Sequence, residues 1–149
     1  MAGTVERPSD STSGSSGGTL ADGARCPCGS GEAYGPCCGR FHRGAAAAPT
    51  AEALMRSRYS AFALRDTGYL ARTWHASTRP DPEELRLDEQ QRWLRLDVLE
   101  TTGGGPFDAE GTVTFEARWR SGSDRGVLRE RSRFVREQRR WAYLDGEPA

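Results

Sequence analysis

The sequence predicts an α+β protein in which a small cysteine-rich metal module precedes a domain of helices and an antiparallel sheet. All four cysteines lie between Cys26 and Cys38. Apolar residues recur at helical spacing after Thr50, whereas from Trp93 onward they alternate with polar residues, as in strands. Helices that precede a run of strands joined by short loops favour an antiparallel sheet with the helices on one face.

Composition limits the classes of function. The 21 basic residues equal the 21 acidic ones, so the net charge is zero and the broad basic surface of a DNA-binding domain is not expected. The longest purely apolar run, Ala45–Ala48, is far shorter than the roughly 20 residues that span a bilayer. Because no basic and apolar leader is present, a cytoplasmic protein without membrane insertion is predicted. Residues 1–24, rich in Gly, Ser and Thr, are predicted to form a disordered tail.

Helices are predicted after a linker of small residues at 44–49. Thr50 is a suitable N-cap, and apolar side chains recur three and four residues apart after it. This helix is expected to end near Asp66, where Thr67–Gly68 starts a second, short helix. A third helix start is predicted at Asp81, which is followed by a proline and, at the capping-box position, a glutamate.

Four strands are predicted in the remainder of the chain. The first is expected to place Leu94, Leu96 and Val98 on one face, and the second alternates most regularly between residues 112 and 119. A loop at 121–126 precedes the third strand, and the fourth covers residues 141–144. Alternation in the third strand assigns its residues to two faces: Leu128, Glu130, Ser132 and Phe134 on one, and Arg129, Arg131 and Arg133 on the other.

The cysteine spacing predicts a metal site with the ligands Cys26, Cys28, Cys37 and Cys38. Four thiolates satisfy a tetrahedral Zn²⁺, although an iron centre is chemically compatible with the same donors. His42 is an alternative ligand in place of one thiolate. Two disulfides would need strained short loops or a vicinal bridge, against ordinary geometry. A segment of this size lacks its own core, so metal binding is expected to supply its folding energy.

Two sets of short motifs lie between residues 26 and 146. The first set is CPCGSG at 26–31, Tyr34 and Cys37-Cys38, and the second is LMRSRYSAF at 54–62, Tyr69-Leu70, Thr73-Trp74-His75, ERSRFV at 130–135 and WAYLDG at 141–146. The first set is similar to the SEC-C motif and the second resembles the YchJ-like family, so that the resemblance covers most of residues 26–146. It implies a SEC-C metal module at residues 25–44 and a nuclear-transport-factor-2-like domain at 50–147, a curved sheet wrapped around helices.

The implied fold encloses a conical cavity, a common type of ligand site. A buried carboxylate beside a histidine could serve there as general base and acid. The alternative is that Glu130 forms a core ion pair with Arg56 or Arg58 and that the aromatic residues only pack. Since a fold alone does not establish an activity, an enzyme is not favoured. The candidate pocket residues are Tyr59, Trp74, His75, Glu130, Ser132, Trp141 and Tyr143.

Resemblance to SEC-C modules also implies contact with a protein partner, such as a secretion chaperone or the ribosome. The candidate partner surface comprises Tyr34, Arg40, Phe41 and Arg43. The arginines of the third strand, together with Arg136, offer an alternative contact with RNA or the ribosome, unless Glu116, Glu137 and Asp97 pair with them across the sheet. A homodimer could form through the exposed face of the sheet, with Trp119 or Trp141 in the interface.

The sequence therefore favours a cytoplasmic zinc-binding adaptor with a structural metal. The first alternative is small-molecule binding or catalysis in the cone of the larger domain. The second alternative is RNA or ribosome contact through the arginine-rich strand.

Overall fold

The computed structural model describes residues 20–149, which form a cysteine module, two further helices and one sheet. Most of the predicted tail, residues 1–24, lies outside the described residues. Residues 20–24 are part of the folded structure, because the Tyr34 N–H donates to Ala24 O (2.7 Å) and the Gly35 N–H donates to Asp22 O (2.9 Å). The cysteine module therefore begins a few residues before Cys26.

Three α-helices are present: α1 (Arg40–His42), α2 (Ala51–Leu64) and α3 (Thr67–Arg72). The predicted N-cap of α2 is confirmed, since the Thr50 hydroxyl accepts a hydrogen bond from the Ala53 N–H at 3.0 Å. α2 ends at Arg65, whose backbone is left-handed (φ +61°). Asp66 then caps α3 by accepting from the Tyr69 N–H at 3.0 Å. Both predicted helix boundaries are thus correct.

The helix predicted at Asp81 is wrong, because this segment forms only a turn. The Glu84 N–H donates to Asp81 O at 2.8 Å, and Leu85 is the buried side chain that anchors the segment. The first turn of a helix restricts the backbone of several residues and gains only one hydrogen bond, so it is unfavourable by itself. It extends into a helix when an apolar face of the added residues packs against the core. Residues 81–84 are all exposed and offer no such face.

The sheet has the order β1-β2-β3-β4, and every neighbouring pair is antiparallel. Its inner face is confirmed by burial: Val113, Phe115 and Ala117 are fully buried, as are Ser132 and Phe134 of the next strand. The arginines of the third strand point outward, as expected. The strands are β1 (Gln91–Gly103), β2 (Glu110–Ser121), β3 (Asp124–Glu137) and β4 (Arg140–Pro148).

Register shifts overturn part of the predicted alternation in β1. One shift falls between Trp93 and Arg95 and another between Val98 and Glu100. The extra residues are Leu94 at the first shift and Leu99 at the second. Leu94 is 52% exposed, so its side chain does not face the core as expected. Leu96 remains buried, as predicted.

A third shift lies in β4. It places Asp145 opposite Arg133 on the outer face, so Asp145 does not share a face with Trp141 and Tyr143 as simple alternation suggested. After a bulge, each side chain faces the side of the sheet opposite to the one that simple alternation predicts. An alternation pattern alone does not reveal where a bulge lies.

The loop predicted at 121–126 is shorter than expected. Ser121 pairs with Asp124 across a two-residue turn at Gly122 and Ser123, and Gly122 has a φ of +61°. Two-residue hairpin turns need positive φ, which glycine adopts without strain. The hairpin therefore extends both strands and brings Arg120 directly opposite Arg125.

α2 lies across the inner face of the sheet and contacts β1, β2 and β4. Its N-terminus meets the glycine-rich turn after β1, where the Ala51 N–H donates to Gly104 O at 2.9 Å. A Cβ on Gly104 would lie 2.7 Å from the Ala51 Cβ, and the φ of Gly104 is +75°. Glycine is thus required at this approach. None of the helices within residues 20–149 is long and apolar enough to cross a membrane.

Candidate metal centre

The four cysteines come from two tight backbone turns that face each other. The first turn is closed by the Cys26 N–H, which donates to Glu32 O (3.0 Å), and it contains Gly29 and Gly31, both with positive φ. The second is the π-helical turn Gly35–Gly39, in which Cys37 departs from helical geometry. The two turns place one pair of sulfurs against the other.

The geometry of the cluster fits a tetrahedral metal. All four Sγ atoms lie within 4.8 Å of one another, and the Cys28 and Cys37 Sγ atoms are 3.7 Å apart. A Zn–S bond of about 2.3 Å implies a sulfur–sulfur separation of about 3.8 Å in a regular tetrahedron. Cys26, Cys28 and Cys38 are buried and Cys37 is partly exposed. The arrangement therefore suggests a closed metal site in which the four cysteine sulfurs complete the coordination.

Electrostatics within the cluster favour a thiolate at Cys26 and oppose one at Cys37 and Cys38. Hydrogen bonds from the Cys28 and Cys38 thiols hold the pKa of Cys26 far below its ordinary value. The same thiol contacts, with burial, raise the pKa of Cys38, and burial raises that of Cys37. Four thiolates at this separation would repel strongly, so full deprotonation requires a cation at the centre of the cluster.

Two serine hydroxyls contact the sulfurs, and the sequence did not indicate either. Ser30 Oγ lies 3.2 Å from Cys37 Sγ within the module. Ser60 Oγ, from the buried face of α2, lies 3.6 Å from Cys26 Sγ. Ser60 follows Arg56 by one helical turn, so both residues lie on the face of α2 that meets the module, but only the structure shows which face that is.

The module is attached to α2 by polar contacts. Arg56 donates through Nη1 to Cys28 O at 3.1 Å and through Nε to Glu52 at 3.0 Å. Arg72 of α3 donates to the Phe41 carbonyl at 3.4 Å. Backbone groups of the module are thus paired with side chains of the larger domain, and the metal cluster lies next to the junction.

His42, the alternative ligand, lies outside the cluster. Its Nε2 donates to Ser57 O at 2.8 Å, and its Nδ1 accepts from the Tyr34 hydroxyl at 2.6 Å. Burial raises the pKa of Tyr34 to about 12, so that hydroxyl remains a donor, and burial lowers the pKa of His42. Both ring nitrogens are therefore engaged, and His42 joins the module to α2 instead of holding a metal.

The candidate partner surface is divided by the structure. Tyr34 and Phe41 are buried (9% and 6% exposed), so they pack into the protein and are not presented to a partner as expected. Arg40 and Arg43 are exposed. Arg40 lies over the Phe41 ring, and Arg43 donates to Gly35 O at 3.3 Å. The two arginines are the part of the predicted surface that remains available.

The interior of the cone is filled. Glu130 accepts from Ser132 Oγ at 2.6 Å and contacts the Tyr143 hydroxyl at 3.5 Å, and all three residues are buried. The fully buried Arg58 occupies the space between Trp74 and Tyr143, with its guanidinium 4.5 Å from the Tyr143 ring centre.

Burial of Arg58 is balanced by contacts. It donates to Leu70 O and Thr73 Oγ1, each at 2.8 Å, and burial lowers its pKa to about 10, which keeps it charged at neutral pH. Tyr59 is also buried and packs edge-on against Trp93. Of the seven candidate pocket residues, Trp74 and Trp141 are also buried, but Tyr59, Glu130, Ser132 and Tyr143 are the four that lie in the interior of the cone.

The other three candidate pocket residues line a groove on the surface. This groove has a volume of about 520 Å³ and lies between the alanine-rich linker, α3 and β4; Trp74, His75 and Trp141 form part of its wall. His75 Nε2 contacts the Glu137 carboxylate at the rim. Trp141 is buried and donates to Pro49 O at 3.2 Å, so it does not supply the exposed sheet face considered for a homodimer.

A buried four-cysteine cluster, attached to a helix-and-curved-sheet domain, defines a SEC-C-type protein with a nuclear-transport-factor-2-like body. A family model described as the YchJ middle NTF2-like domain matches residues 50–146. The chain belongs to the YchJ-like family.

Relatives of similar length support this assignment. The chain is 57% identical over 122 residues to a UPF0225 protein of Streptomyces coelicolor, covering 82% of this chain and 94% of the relative. It is 52% identical to a UPF0225 protein of Ralstonia nicotianae, covering 83% and 91%.

Two solved structures are similar. The SEC-C motif protein RPA3114 of Rhodopseudomonas palustris has a TM-score of 0.76 and 38% identity, with 84% of this chain and 98% of that one covered. A SEC-C motif protein of Psychrobacter arcticus has a TM-score of 0.72 and 25% identity, with 86% and 84% covered.

Proposed function

We propose that the protein is a cytoplasmic zinc-binding adaptor in which the metal is structural. The observation that carries this proposal is the set of four sulfurs within 4.8 Å of one another, three of them buried. Four protein ligands leave no position for water or substrate, so the ion supports structure and not catalysis. A reducing compartment such as the cytoplasm keeps the four thiols available for the metal.

Zinc is the proposed metal because four thiolates in a closed site satisfy its tetrahedral geometry, and identification of the bound metal distinguishes it from iron, which the same donors accept. Native mass spectrometry of untagged protein, purified without added metal, is expected to show one zinc per chain. Cys37→Ser should reduce the metal content, while Ser123→Ala, a matched change in the exposed β2–β3 turn, should not. A fully folded chain that carries iron, or that carries no metal, would refute the assignment.

The adaptor role is assigned to the exposed side of the module. With Tyr34 and Phe41 buried, the exposed Arg40 and Arg43 are the candidate contacts, and they suit an acidic segment of a protein partner. Crosslinking in cells, followed by mass spectrometry of the peptides attached at residue 40, should identify such a segment. Arg40→Glu should abolish the crosslink, whereas Arg129→Glu, an equal charge change on the outer face of the sheet, should leave it intact.

The surface groove beside Trp74 supports a second candidate function, the binding of a small anionic molecule. Arg72, Arg79 and Arg140 line it together with His75, against the single carboxylate of Glu137. An additional small mass that remains bound in the native spectrum and is lost in Arg140→Glu would support this function. A spectrum that contains only protein and zinc would leave the adaptor role as the function of the chain.

A further inference from the structure

The outer face of the sheet carries a cluster of arginines at the end formed by the β2–β3 hairpin. Arg92 pairs with Arg120, and Arg120 pairs in turn with Arg125, so three arginines lie side by side across three strands. Directly paired residues project from the same face with their Cβ atoms about 5 Å apart. Arg118, two residues before Arg120 in β2, projects from the same face, and all four side chains are exposed. We call Arg92, Arg118, Arg120 and Arg125 the arginine patch.

Two acidic residues of the outer face form ion pairs with other arginines. Asp97 pairs with Arg95 at 3.0 Å, and Asp145 pairs with Arg133 through two hydrogen bonds. Within residues 20–149, no carboxylate forms an ion pair with any arginine of the patch. The positive charge of the patch is therefore not neutralised by the protein.

The arginine-rich line along β3 differs from the patch in this respect. Arg129 lies opposite Glu116, and Arg131 lies opposite Glu147. Each position of that line thus faces an acidic residue across the sheet, as does Arg133. The charge of the outer face is consequently concentrated at the hairpin end and not along the strand that the sequence analysis considered.

The sheet holds these like charges together against their repulsion. Like charges directly opposite each other destabilise an antiparallel pair. The two-residue turn at Gly122 and Ser123 fixes the register, so Arg120 and Arg125 cannot shift apart. A polyanion bound across the patch would relieve this repulsion, because each phosphate can accept hydrogen bonds from a guanidinium.

We propose that the arginine patch binds the phosphodiester backbone of a nucleic acid without reading its base sequence. The exposed neighbours on this part of the outer face, Leu94 and Val127, are aliphatic, and the described outer-face residues of β1–β3 include no aromatic side chain on which a base could stack. Contacts to phosphates position a strand but carry no sequence information. This site is on a different surface from the metal module and goes beyond its proposed role.

The test is a titration of the full-length, zinc-loaded protein with fluorescently labelled oligouridylate and oligodeoxythymidylate, followed by fluorescence anisotropy. Four arginines that each neutralise one phosphate predict a slope of log K against log salt concentration of about −3. Similar affinities for the two oligonucleotides are expected, because their phosphates are the same. The absence of salt-dependent binding to both would overturn the proposal.

A pair of matched variants locates the site. Arg120→Glu with Arg125→Glu is expected to weaken binding at least about tenfold and to reduce the slope by about 1 to 2. Arg129→Glu with Arg131→Glu makes the same charge change on the same face and should weaken binding less than about threefold by general electrostatics. Equal losses in the two double variants would contradict a localised site.

Thermal unfolding separates lost contact from lost structure. Arg120→Gln removes repulsion from the centre of the row, so it should raise the melting temperature while weakening binding. A variant that lowers the melting temperature and the affinity together would show that Arg120 serves the fold and would contradict the proposed role. Zinc content should remain at one per chain in all of these variants.

Discussion

The cysteine module and the sheet are stabilised in different ways. The sheet has continuous backbone pairing over four strands and a core of fully buried side chains such as Val113 and Phe115. The module has two turns, a three-residue helix and four sulfurs, and its further contacts are made with α2 and α3. We therefore expect the sheet domain to fold on its own contacts and the module to depend on a metal and on the domain beneath it.

The largest expected effect is the loss of structure in the module alone. Cys28→Ser removes a buried ligand, and structural zinc contributes on the order of 10 kcal/mol to the folding of small metal modules. We expect residues 22–43 to lose protection from hydrogen exchange, while β2 and β3 keep theirs. Loss of protection throughout the sheet would show that the two regions form one cooperative unit.

The second prediction concerns a change that destabilises the core of the sheet. Phe115→Ala leaves a cavity at the centre of the core and is expected to lower the free energy of unfolding by about 3–5 kcal/mol. Urea unfolding followed by tryptophan fluorescence measures this loss. Because the module depends on the domain, zinc should be released over the same range of urea concentration. Zinc retained beyond the unfolding of the sheet would mean that the module is self-sufficient.

A smaller effect is expected at the junction. Ser60→Ala removes the α2 hydroxyl that lies 3.6 Å from Cys26 Sγ, a contact worth about 1 kcal/mol. Transfer of zinc to a chelating dye should become several-fold faster, with little change in global stability. Ser123→Ala provides the control, and equal rates in the two variants would remove Ser60 from the metal environment.

The smallest effect is a dependence on pH at His42. Burial lowers the pKa of His42 below its ordinary value near 6.5, so its neutral form contributes stability that is present above pH 6.5. This stability is lost as the pH falls from 6.5 toward the pKa in the folded protein, by at most about 1.4 kcal/mol per pH unit. Urea midpoints at several pH values should decline more steeply for the wild-type chain than for His42→Gln. Parallel profiles would contradict the buried neutral state.

Local signals explain what could be predicted from the sequence. The cap at Thr50, the alternation of β2 and the clustering of the cysteines depend on residues that are near one another in the chain, and the structure bears all three out. The bulge at Leu94 and the two-residue turn at Gly122 depend on how whole strands pair, and alternation contains no information on that pairing.

The candidate site shows the same division. The four sulfurs come together as the spacing indicated, but the burial of Tyr34 and Phe41 follows from the docking of the module on the domain, a long-range contact. The same docking engages both nitrogens of His42. Likewise, Arg58 fills the cone that the fold implied. The sequence offered Arg56 and Arg58 as core residues, but a helical pattern alone cannot show which of the two points inward.

Hydrogen exchange of the wild-type protein before and after removal of zinc by a chelator tests the central claim most directly. The account predicts that residues 22–43 lose protection when the metal is removed and regain it when zinc is restored, with residues 111–119 unchanged throughout. Unchanged protection of the module after complete metal removal would contradict a structural metal at this site.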